Sequence, residues 1–337
     1  MLDTKTHLST SALSQMDLGQ AIYKQNHSTM QEFILMGYHE YPALLFAIFL
    51  ATYTAILLGN GLIVVVTMLD PALHTPMYFF LRSLSGLEMC YTSVTLPMMV
   101  ANLVSGNHSI SLPACASQLF FMLFLGGTEC FLLAAMAYDR YLAICLPLHY
   151  MTIMSRGVRV GMVAGSFVIS LPMQLVQIEI IFSLPFCGSN EIDHFFCDIP
   201  QLLSLACADL HSNEMALYFE STTFVIIPFL FILASYVQIT RTILHMPSAT
   251  GRQKTFSTCS SHLTVVILFY GSAAIVYLRP KTPESVKVDK LLSLLYTIII
   301  PFCNPLIYTL RNQEVKTAFR RLLGRKRTLK MGTRING

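Results

Sequence analysis

Two carboxylic acids and two side-chain amides stand inside long apolar stretches of this chain: Glu88, Glu129, Asn60 and Asn304. An ionisable residue within a membrane-length apolar segment points to function, because its transfer into hydrocarbon is costly. Two carboxylates in a medium of low dielectric must share a proton or a cation. Glu88 and Glu129 therefore predict an ion-binding or proton-binding site. For the two amides, interhelical hydrogen bonding is an equal alternative.

The segment around Glu129 carries a stripe of residues at helical spacing. Residues three and four apart share one face of an α-helix, so Glu129 and Arg140 point the same way. The stripe comprises Met122, Gly126, Glu129, Leu133, Met136 and Arg140. A comparable stripe near the C-terminus comprises Ser293, Thr297, Asn304 and Tyr308. We expect the face that carries Glu129 to point into the interior of a helix bundle.

Four cysteines lie where an oxidising compartment would form disulfides. Cys187, Cys197 and Cys207 are ten residues apart in one connection between apolar segments, and Cys115 opens an apolar segment on the same side. Four thiols predict two bridges, with three pairings open. The alternative is a metal site, because His194, Cys197 and Asp198 supply ligand types that suit zinc or copper. A disulfide at Cys197 would remove the thiolate that such a site needs.

The elements that must position these residues are apolar runs of membrane-spanning length. Hydrophobic residues make up 54% of the 337 residues and charged residues only 12%, which leaves too little polar surface for a soluble protein. A helical span needs about 17 to 25 apolar residues. We count seven runs, the sixth extending helically towards Thr255: 43–67, 77–100, 112–133, 158–178, 216–240, 263–277 and 291–308. The predicted fold is an all-α bundle of seven transmembrane helices.

Lysine and arginine in the short connections set the orientation in the membrane. They stand between the third and fourth runs, between the fifth and sixth, and throughout the tail after the seventh, whereas residues 179–214 include acidic residues and no Lys or Arg. This pattern places the N-terminus outside the cell and the C-terminus in the cytosol. The net charge of +4 then reflects a tail beside anionic lipid and not nucleic-acid binding.

Three regions follow from these assignments. Residues 1–42 form an extracellular tail without a cleaved signal peptide, and Asn26 begins an Asn-His-Ser glycosylation sequon there. Residues 43–310 form the seven-span domain. Residues 311–337 form a cytoplasmic amphipathic helix and a basic tail. The apolar residues that predict this helix on the inner leaflet are Val315, Ala318, Phe319, Leu322 and Leu323.

Residues 136–145 read MAYDRYLAIC at the inner end of the third run. This segment resembles the signature of vertebrate olfactory receptors, a branch of the rhodopsin-like G-protein-coupled receptors. Further matches follow in the family's order, namely PMYFFL at 76–81, Ser235-Tyr236, TFSTCSSHL at 255–263 and PFCNPLIY at 301–308. The resemblance extends from about residue 26 to residue 319. The three cysteines of the second outer loop and the short last outer loop resemble the tetrapod-type class II members.

The resemblance implies a fold and a function. The fold is a seven-helix bundle with a short amphipathic eighth helix, and the disulfides pair Cys115 with Cys197 and Cys187 with Cys207. The function is that of an odorant receptor in the plasma membrane of olfactory neuron cilia, which binds a small, mostly apolar volatile and activates an olfactory Gs-type G protein to raise cAMP. No cofactor and no enzymatic activity are implied. Glu88 and Glu129 match the positions that line a sodium-type site in this superfamily.

The resemblance also assigns residues to ligand binding and to coupling. Arg140 would hold the inactive state through Asp139 and contact the G protein once the sixth span moves outward. The residues expected to serve activation and coupling are Asp139, Arg140, Tyr141, Tyr236, His262, Asn304, Pro305 and Tyr308. Those at the depth of the family's ligand cavity are Met122, Leu123, Gly126, Gly127, Glu220, Ser221, Phe224, Tyr270 and Tyr277. They make a mostly apolar hollow, in which Glu220 is expected to meet a hydrogen-bonding or basic group of the odorant.

Some features depart from the family or admit another interpretation. Residues 1–25 lengthen the outer tail, Glu88 stands where Asp is commoner, and Arg82 lies in the second span. A transporter or channel would use Glu88 and Glu129 as an ion relay, but the sequence has no inverted repeat and an odd number of spans. Cys259, Ser260 and His262 adjoin without forming a triad, which disfavours an enzyme. Ordinary helix packing is the alternative for each apolar residue of the hollow.

Overall fold

The computed structural model describes residues 31–38, 41–187, 189–208, 210–278, 290, 292–311 and 314–322. Within these ranges, side chains are not described at residues 254, 258, 273–278 and 309–311. The predicted glycosylation site Asn26 and the side chain of Tyr277 lie outside the described residues.

Long helices dominate the described residues. They are α1 (Pro42–Leu69), α2 (Pro76–Ser105), α3 (Leu112–Cys145), α4 (Arg156–Phe182), α5 (His211–Leu244), α6 (Ala249–Leu278), α7 (292–311) and the short α8 (314–322). By length and composition, α1 to α5 can each cross a membrane, and α7 has a shorter apolar part, Leu292–Tyr308. Outside the long helices, the described residues include two short helices and two 3₁₀ turns, at Tyr150–Ile153, Ile199–Ser204, Met36–Tyr38 and Pro71–Leu73. α5 and α7 each contain a π turn, at Thr222–Ile226 and Leu295–Ile299.

Proline and serine fix where the helices begin. Pro42 and Pro76 are the first residues of α1 and α2, where a missing amide N–H leaves no helical hydrogen bond unmade. Ser111 and Ser155 cap α3 and α4, and their hydroxyl groups accept first-turn amide N–H groups at 3.4 and 3.5 Å. Each long helix extends beyond its predicted apolar run at one or both ends, so hydrophobicity alone does not set the boundary.

The central helix of the bundle is α3. In its most apolar stretch 67% of the residues are buried, against 22% in α1. It contacts α2, α4, α5 and α6, whereas α7 contacts α1, α2 and α6. Leu133 and Met136 of α3 belong to an inner apolar core, and Leu119 and Met122 belong to an outer one. One rigid helix therefore connects every depth of the bundle.

A three-stranded sheet covers the outer end of the bundle. β1 (Glu32–Leu35) pairs antiparallel with β2 (Ser109–Ser111) and parallel with β3 (Glu191–Ile192). Phe33 and Leu35 of β1 are fully buried. Folded structure therefore begins before α1, in the segment that the sequence predicted only as an outer tail.

Two disulfides constrain the second outer loop, one by joining it to α3 and the other by joining two points of the loop itself. Cys115, in the first turn of α3, is bonded to Cys197 with Cα atoms 5.6 Å apart, and Cys187 is bonded to Cys207 at 5.9 Å. The Cys197 N–H also donates to Gln118 Oε1 at 3.1 Å. These are the two pairs that the family resemblance implied.

An asparagine joins α1 to α7 at a carbonyl group that a proline has freed. Pro305 has no N–H, so the Pro301 carbonyl oxygen, four residues earlier, lacks its helical donor. Asn60 Nδ2 donates to this oxygen at 3.3 Å and to Ile56 O at 3.2 Å. Gly59 permits the close approach, since a Cβ there would lie 3.0 Å from Pro305 Cγ. Asn60 therefore acts as an interhelical hydrogen-bond donor.

Loss of the disulfide between Cys115 and Cys197 should prevent folding of the outer half. Removing such a bond typically costs about 2 to 5 kcal/mol, and this one spans 82 residues of sequence. We expect Cys115→Ser and Cys197→Ser each to abolish surface expression, measured by flow cytometry of an outer epitope tag. Cys90→Ser, at an exposed free cysteine on α2, is the control. Normal surface levels in both loop variants would contradict the prediction.

Removal of the Asn60 amide should destabilise the bundle unless the Pro301 carbonyl regains a donor. A buried acceptor without a partner costs about 1 to 3 kcal/mol. We expect Asn60→Ala to lower the free energy of unfolding of the detergent-solubilised protein by this amount. In a Pro305→Ala background residue 305 supplies an N–H, so the loss should be smaller. Equal losses in the two backgrounds would show that this carbonyl is not the partner that matters.

Candidate functional site

Glu88 and Glu129 meet in the middle of the bundle. The two residues are 0% and 4% exposed, and their carboxyl groups interact directly between α2 and α3. Asn304 of α7 donates a hydrogen bond from Nδ2 to Glu88 Oε1. The structure therefore brings together three of the four intramembrane polar residues, here called the acidic cluster (Glu88, Glu129 and Asn304), while Asn60 binds the α7 backbone.

Several oxygen atoms of the acidic cluster have no donor. Among the described residues, Glu88 Oε2, Glu129 Oε1 and Asn304 Oδ1 are buried without a hydrogen-bond partner. Carboxylate and amide oxygens are the ligands that hard cations take. The arrangement can hold such a cation, or a proton shared between the carboxyl groups.

The segment from His194 to Asp198 is a packed cap and not a metal site. The Cys197 sulfur is bonded to Cys115, and the His194 ring packs edge-on against Phe196, with ring centroids 4.4 Å apart. Burial lowers the pKa of His194 below its ordinary value, which favours the neutral ring. In the part of the chain that the structure describes, no three His, Cys, Asp or Glu side chains are grouped to hold a metal ion.

Three residues form one packed layer in the outer half of the bundle, here called the Phe224 layer (Gly127, Ser170 and Phe224). A Cβ on Gly127 would lie 2.9 Å from Phe224 Cδ1 and 3.5 Å from Ser170 Oγ. Glycine is therefore required for α5 to approach α3 this closely. The Phe224 ring also meets Phe131 edge-on, with centroids 5.5 Å apart. Two residues predicted for the ligand hollow, Gly127 and Phe224, thus contact each other.

Glu220 lies one turn further out on α5 than Phe224. Its carboxyl group hydrogen-bonds the side chain of Gln174 on α4. Its Oε2 atom is buried without a hydrogen-bond partner among the described residues. The predicted residue Ser221 is partly buried beside the π turn of α5. Glu220 is therefore directed to α4 as well as to the bundle interior.

Two buried glutamines of α4, Gln174 and Gln177, were not predicted as site residues. A signal for them was present in the sequence. Ser166, Ser170, Gln174 and Gln177 recur at intervals of four, four and three residues within an apolar run. That spacing is typical of one face of a helix, and a polar face in a membrane span points inward.

Three of the predicted α3 residues of the hollow, Met122, Leu123 and Gly126, lie in the outer core. Met122 is buried in the outer core together with Tyr91 of α2, and Leu123 packs against the same core. A Cβ on Gly126 would lie 3.9 Å from Tyr91 Cε2, an ordinary contact distance. The outer core therefore contains all three residues.

Tyr270 lies deeper than the other predicted ligand residues. Its hydroxyl group donates to Cys130 O at 3.3 Å, and its ring centroid is 5.2 Å from that of Phe229. It belongs to the inner core, not to the outer core that contains Met122. The structure therefore does not bring Tyr270 to the level of Glu220.

Asp139, at the inner end of α3, binds the loop that follows. The Tyr150 hydroxyl donates to Asp139 Oδ1 at 2.9 Å. Burial and the neighbouring carboxylate raise the pKa of Tyr150, which keeps the phenol protonated as a donor. Tyr150 was not predicted as a site residue. Asp139 also lies within electrostatic range of Arg140, and Tyr141 stacks on Tyr138 with centroids 6.3 Å apart.

The remaining coupling residues gather round Arg140. This side chain is buried and lies within electrostatic range of Tyr236, His262 and Tyr308. Tyr236 Oη and His262 Nδ1 are 2.8 Å apart, and this hydrogen bond joins α5 to α6. A buried cation is thus surrounded by polar groups of α5, α6 and α7 at the cytosolic end.

A family model and individual relatives both match this chain over most of its length. A family model described as olfactory receptor matches residues 49–326. Olfactory receptor 10A7 of Homo sapiens is 52% identical over 305 residues, which cover 90% of this chain and 96% of that protein. Olfactory receptors 10AG1 and 10A5 of Homo sapiens are 48% and 49% identical over 297 and 300 residues, covering 87% and 88% of this chain and 99% and 95% of their own.

These matches confirm the seven-helix fold, the location as a multi-pass protein of the plasma membrane, and a receptor in place of an enzyme. The matched region begins within α1 and ends after α8, so it includes every long helix of the bundle. The chain belongs to the olfactory receptor family.

Proposed function

We propose that this odorant receptor binds a small volatile in the outer half of its bundle and activates an olfactory Gs-type G protein, which raises cAMP. Family membership carries the general role, with an odorant ligand and a G-protein partner. The observation that supports the finer proposal is the continuous helix α3. It carries Gly127 in the Phe224 layer, Glu129 in the acidic cluster and Arg140 at the cytosolic end.

Odorant binding must favour one arrangement of the inner end over another. A ligand shifts a conformational equilibrium only by its difference in affinity for the two states. The hydrogen bond between Tyr236 and His262 ties α5 to α6 beside Arg140. Outward movement of α6 breaks this contact and uncovers Arg140 for the G protein. The same proposal places the receptor in the cilia of olfactory neurons, with α8 against the lipid of the inner leaflet.

We further propose that the acidic cluster binds a sodium ion and that this ion favours the inactive arrangement. The unpartnered oxygens of Glu88, Glu129 and Asn304 come from α2, α3 and α7. Among the described residues, no Lys or Arg forms a salt bridge with either carboxyl group. An ion held by three helices opposes their separation, because moving any one of them removes a ligand.

Odorant-driven cAMP is the direct measurement of the proposed function. In cells that express the receptor with the olfactory Gs-type α subunit, an active odorant should raise cAMP, and cells without that subunit should show no rise. Arg140→Leu should remove the response at unchanged surface expression, whereas Arg156→Leu, at an exposed arginine where α4 begins, should preserve it. An odorant-independent ion current in cells without the G protein would instead support the channel alternative.

Replacement of one carboxylate of the acidic cluster should change basal activity and its sodium dependence together. Glu129→Gln keeps the shape of the side chain but lowers its affinity for a cation, so we expect higher basal cAMP that no longer falls as sodium is added. The matched control is Glu179→Gln, at an exposed carboxylate near the outer end of α4. A sodium response in Glu129→Gln equal to that of the unmodified receptor would refute the site.

A further inference from the structure

α4 presents a buried polar stripe to the bundle. Its members are Ser166, Ser170, Gln174 and Gln177, with exposed fractions of 4%, 0%, 1% and 4%. The two serines bind their own helix, donating to Met162 O at 2.9 Å and Ser166 O at 2.8 Å. The two glutamines differ, because Gln174 Oε1 and Gln177 Nε2 have no hydrogen-bond partner among the described residues. Buried amide atoms are costly in hydrocarbon unless a partner satisfies them.

Glu220 of α5 lies beside Gln174 and also has a buried oxygen atom without a hydrogen-bond partner among the described residues. Gln174 hydrogen-bonds its carboxyl group, but Glu220 Oε2 is buried without a partner in the part of the chain that the structure describes. Residues 112–139, 160–182 and 212–240 contain no Lys, Arg or His. These stretches of α3, α4 and α5 therefore offer no cation to the carboxylate, and an uncompensated charge at such a place is unfavourable.

These polar groups lie at one level of the bundle, directly outside the Phe224 layer. α4 runs towards the outside of the cell and α3 and α5 run towards the cytosol. One turn outward is therefore about four residues later on α4 and about four residues earlier on α3 and α5. One turn above the Phe224 layer lie Leu123, Gln174 and Glu220. At this level α3 contributes an apolar side chain, and α4 and α5 contribute polar side chains.

We propose that the unpartnered polar atoms at this level form a subsite for the head group of the odorant and that the group it takes is a primary amine. The inference rests on the proposed odorant-receptor function and adds α4 to the ligand contacts. An ammonium group has three N–H donors and a positive charge. It donates to the unpartnered oxygens of Glu220 and Gln174. A half-turn of the Gln177 amide, whose oxygen and nitrogen have nearly the same shape, presents a third acceptor.

Competing head groups satisfy this subsite less well. A hydroxyl group carries one donor, so it meets one acceptor and leaves the carboxylate without a positive charge. An aldehyde carries no donor at all. Leu123 contributes apolar surface for the alkyl chain of any of these ligands, so the head group alone distinguishes them.

The test uses the full-length receptor with an outer epitope tag, a cAMP readout, and three series of probes from butyl to decyl: 1-alkylamines, 1-alkanols and alkanals. We expect an amine to be the most potent agonist. Glu220→Gln and Gln174→Leu should each raise its half-maximal concentration about tenfold to a hundredfold, the loss of a hydrogen bond to a charged group. Ser166→Ala, on the same stripe but with its hydroxyl bound to Met162, should leave it unchanged.

Surface expression is measured for each variant, and Gln177→Leu replaces any variant that fails to reach the surface. The subsite is refuted if alkanols or alkanals activate the receptor and amines do not, or if amine potency is unchanged in Glu220→Gln and Gln174→Leu. Either outcome would refute the amine subsite but leave the proposed odorant-receptor function intact, because an odorant would still raise cAMP. If neither these probes nor a broad odorant panel raises cAMP, the proposed function itself fails and the subsite fails with it.

Discussion

The interior of a bilayer supplies no hydrogen-bond donor or acceptor, so polar side chains there must bind one another. At the centre of the receptor, Asn304 donates a hydrogen bond to Glu88. It joins α7 to α2. Glu129 brings α3 to the same point, and Asn60 adds α1 through the Pro301 carbonyl. Rotation of any of these helices about its axis would carry a polar group into lipid. Apolar side chains pack equally well against lipid and against protein, so they do not determine how each helix is rotated about its axis. The polar contacts therefore fix the rotation of these four helices.

The two ends of the bundle are held by different kinds of bonds. At the outer end, two disulfides and a three-stranded sheet tie the loops together, and Lys290 Nζ pairs with Asp193 Oδ1 at 2.7 Å. At the inner end the ties are non-covalent, such as the hydrogen bond between Tyr236 and His262 and the ion pair between Arg321 and Asp70. A single hydrogen bond contributes only about 0.5 to 1.5 kcal/mol net. Helix movement therefore costs less at the cytosolic end, which carries Arg140, than at the covalently closed outer end.

Local periodicity could predict much of this architecture. Apolar runs located the seven long helices, and three-and-four spacing put Glu129 and Arg140 on one face, where both are buried. Such patterns are strong because hydrocarbon requires an apolar exterior along every span. The sheet left no such pattern, since β1 pairs with two distant loops and its four residues specify neither partner. Tyr150 was missed for a related reason: an uncharged polar side chain acquires its role only from the partner that the fold brings to it. For Gln174 the polar spacing of α4 indicates a buried face, but it does not identify Glu220 as the partner.

The π turns of α5 and α7 are a response to proline, and they decide which way the site residues point. Pro228 has no N–H and its ring crowds the carbonyl four residues earlier, so Phe224 O, in the middle of the α5 π turn, loses its α-helical donor. In α7, Thr297 lies in the middle of the π turn, and its carbonyl oxygen likewise loses its α-helical donor because of Pro301, four residues later. Two turns of ideal α-helix take about 7.2 residues, whereas Glu220 and Pro228 are eight residues apart. The π turn takes up the extra residue, so the carboxyl group shares the buried face of the proline and reaches Gln174 instead of lipid.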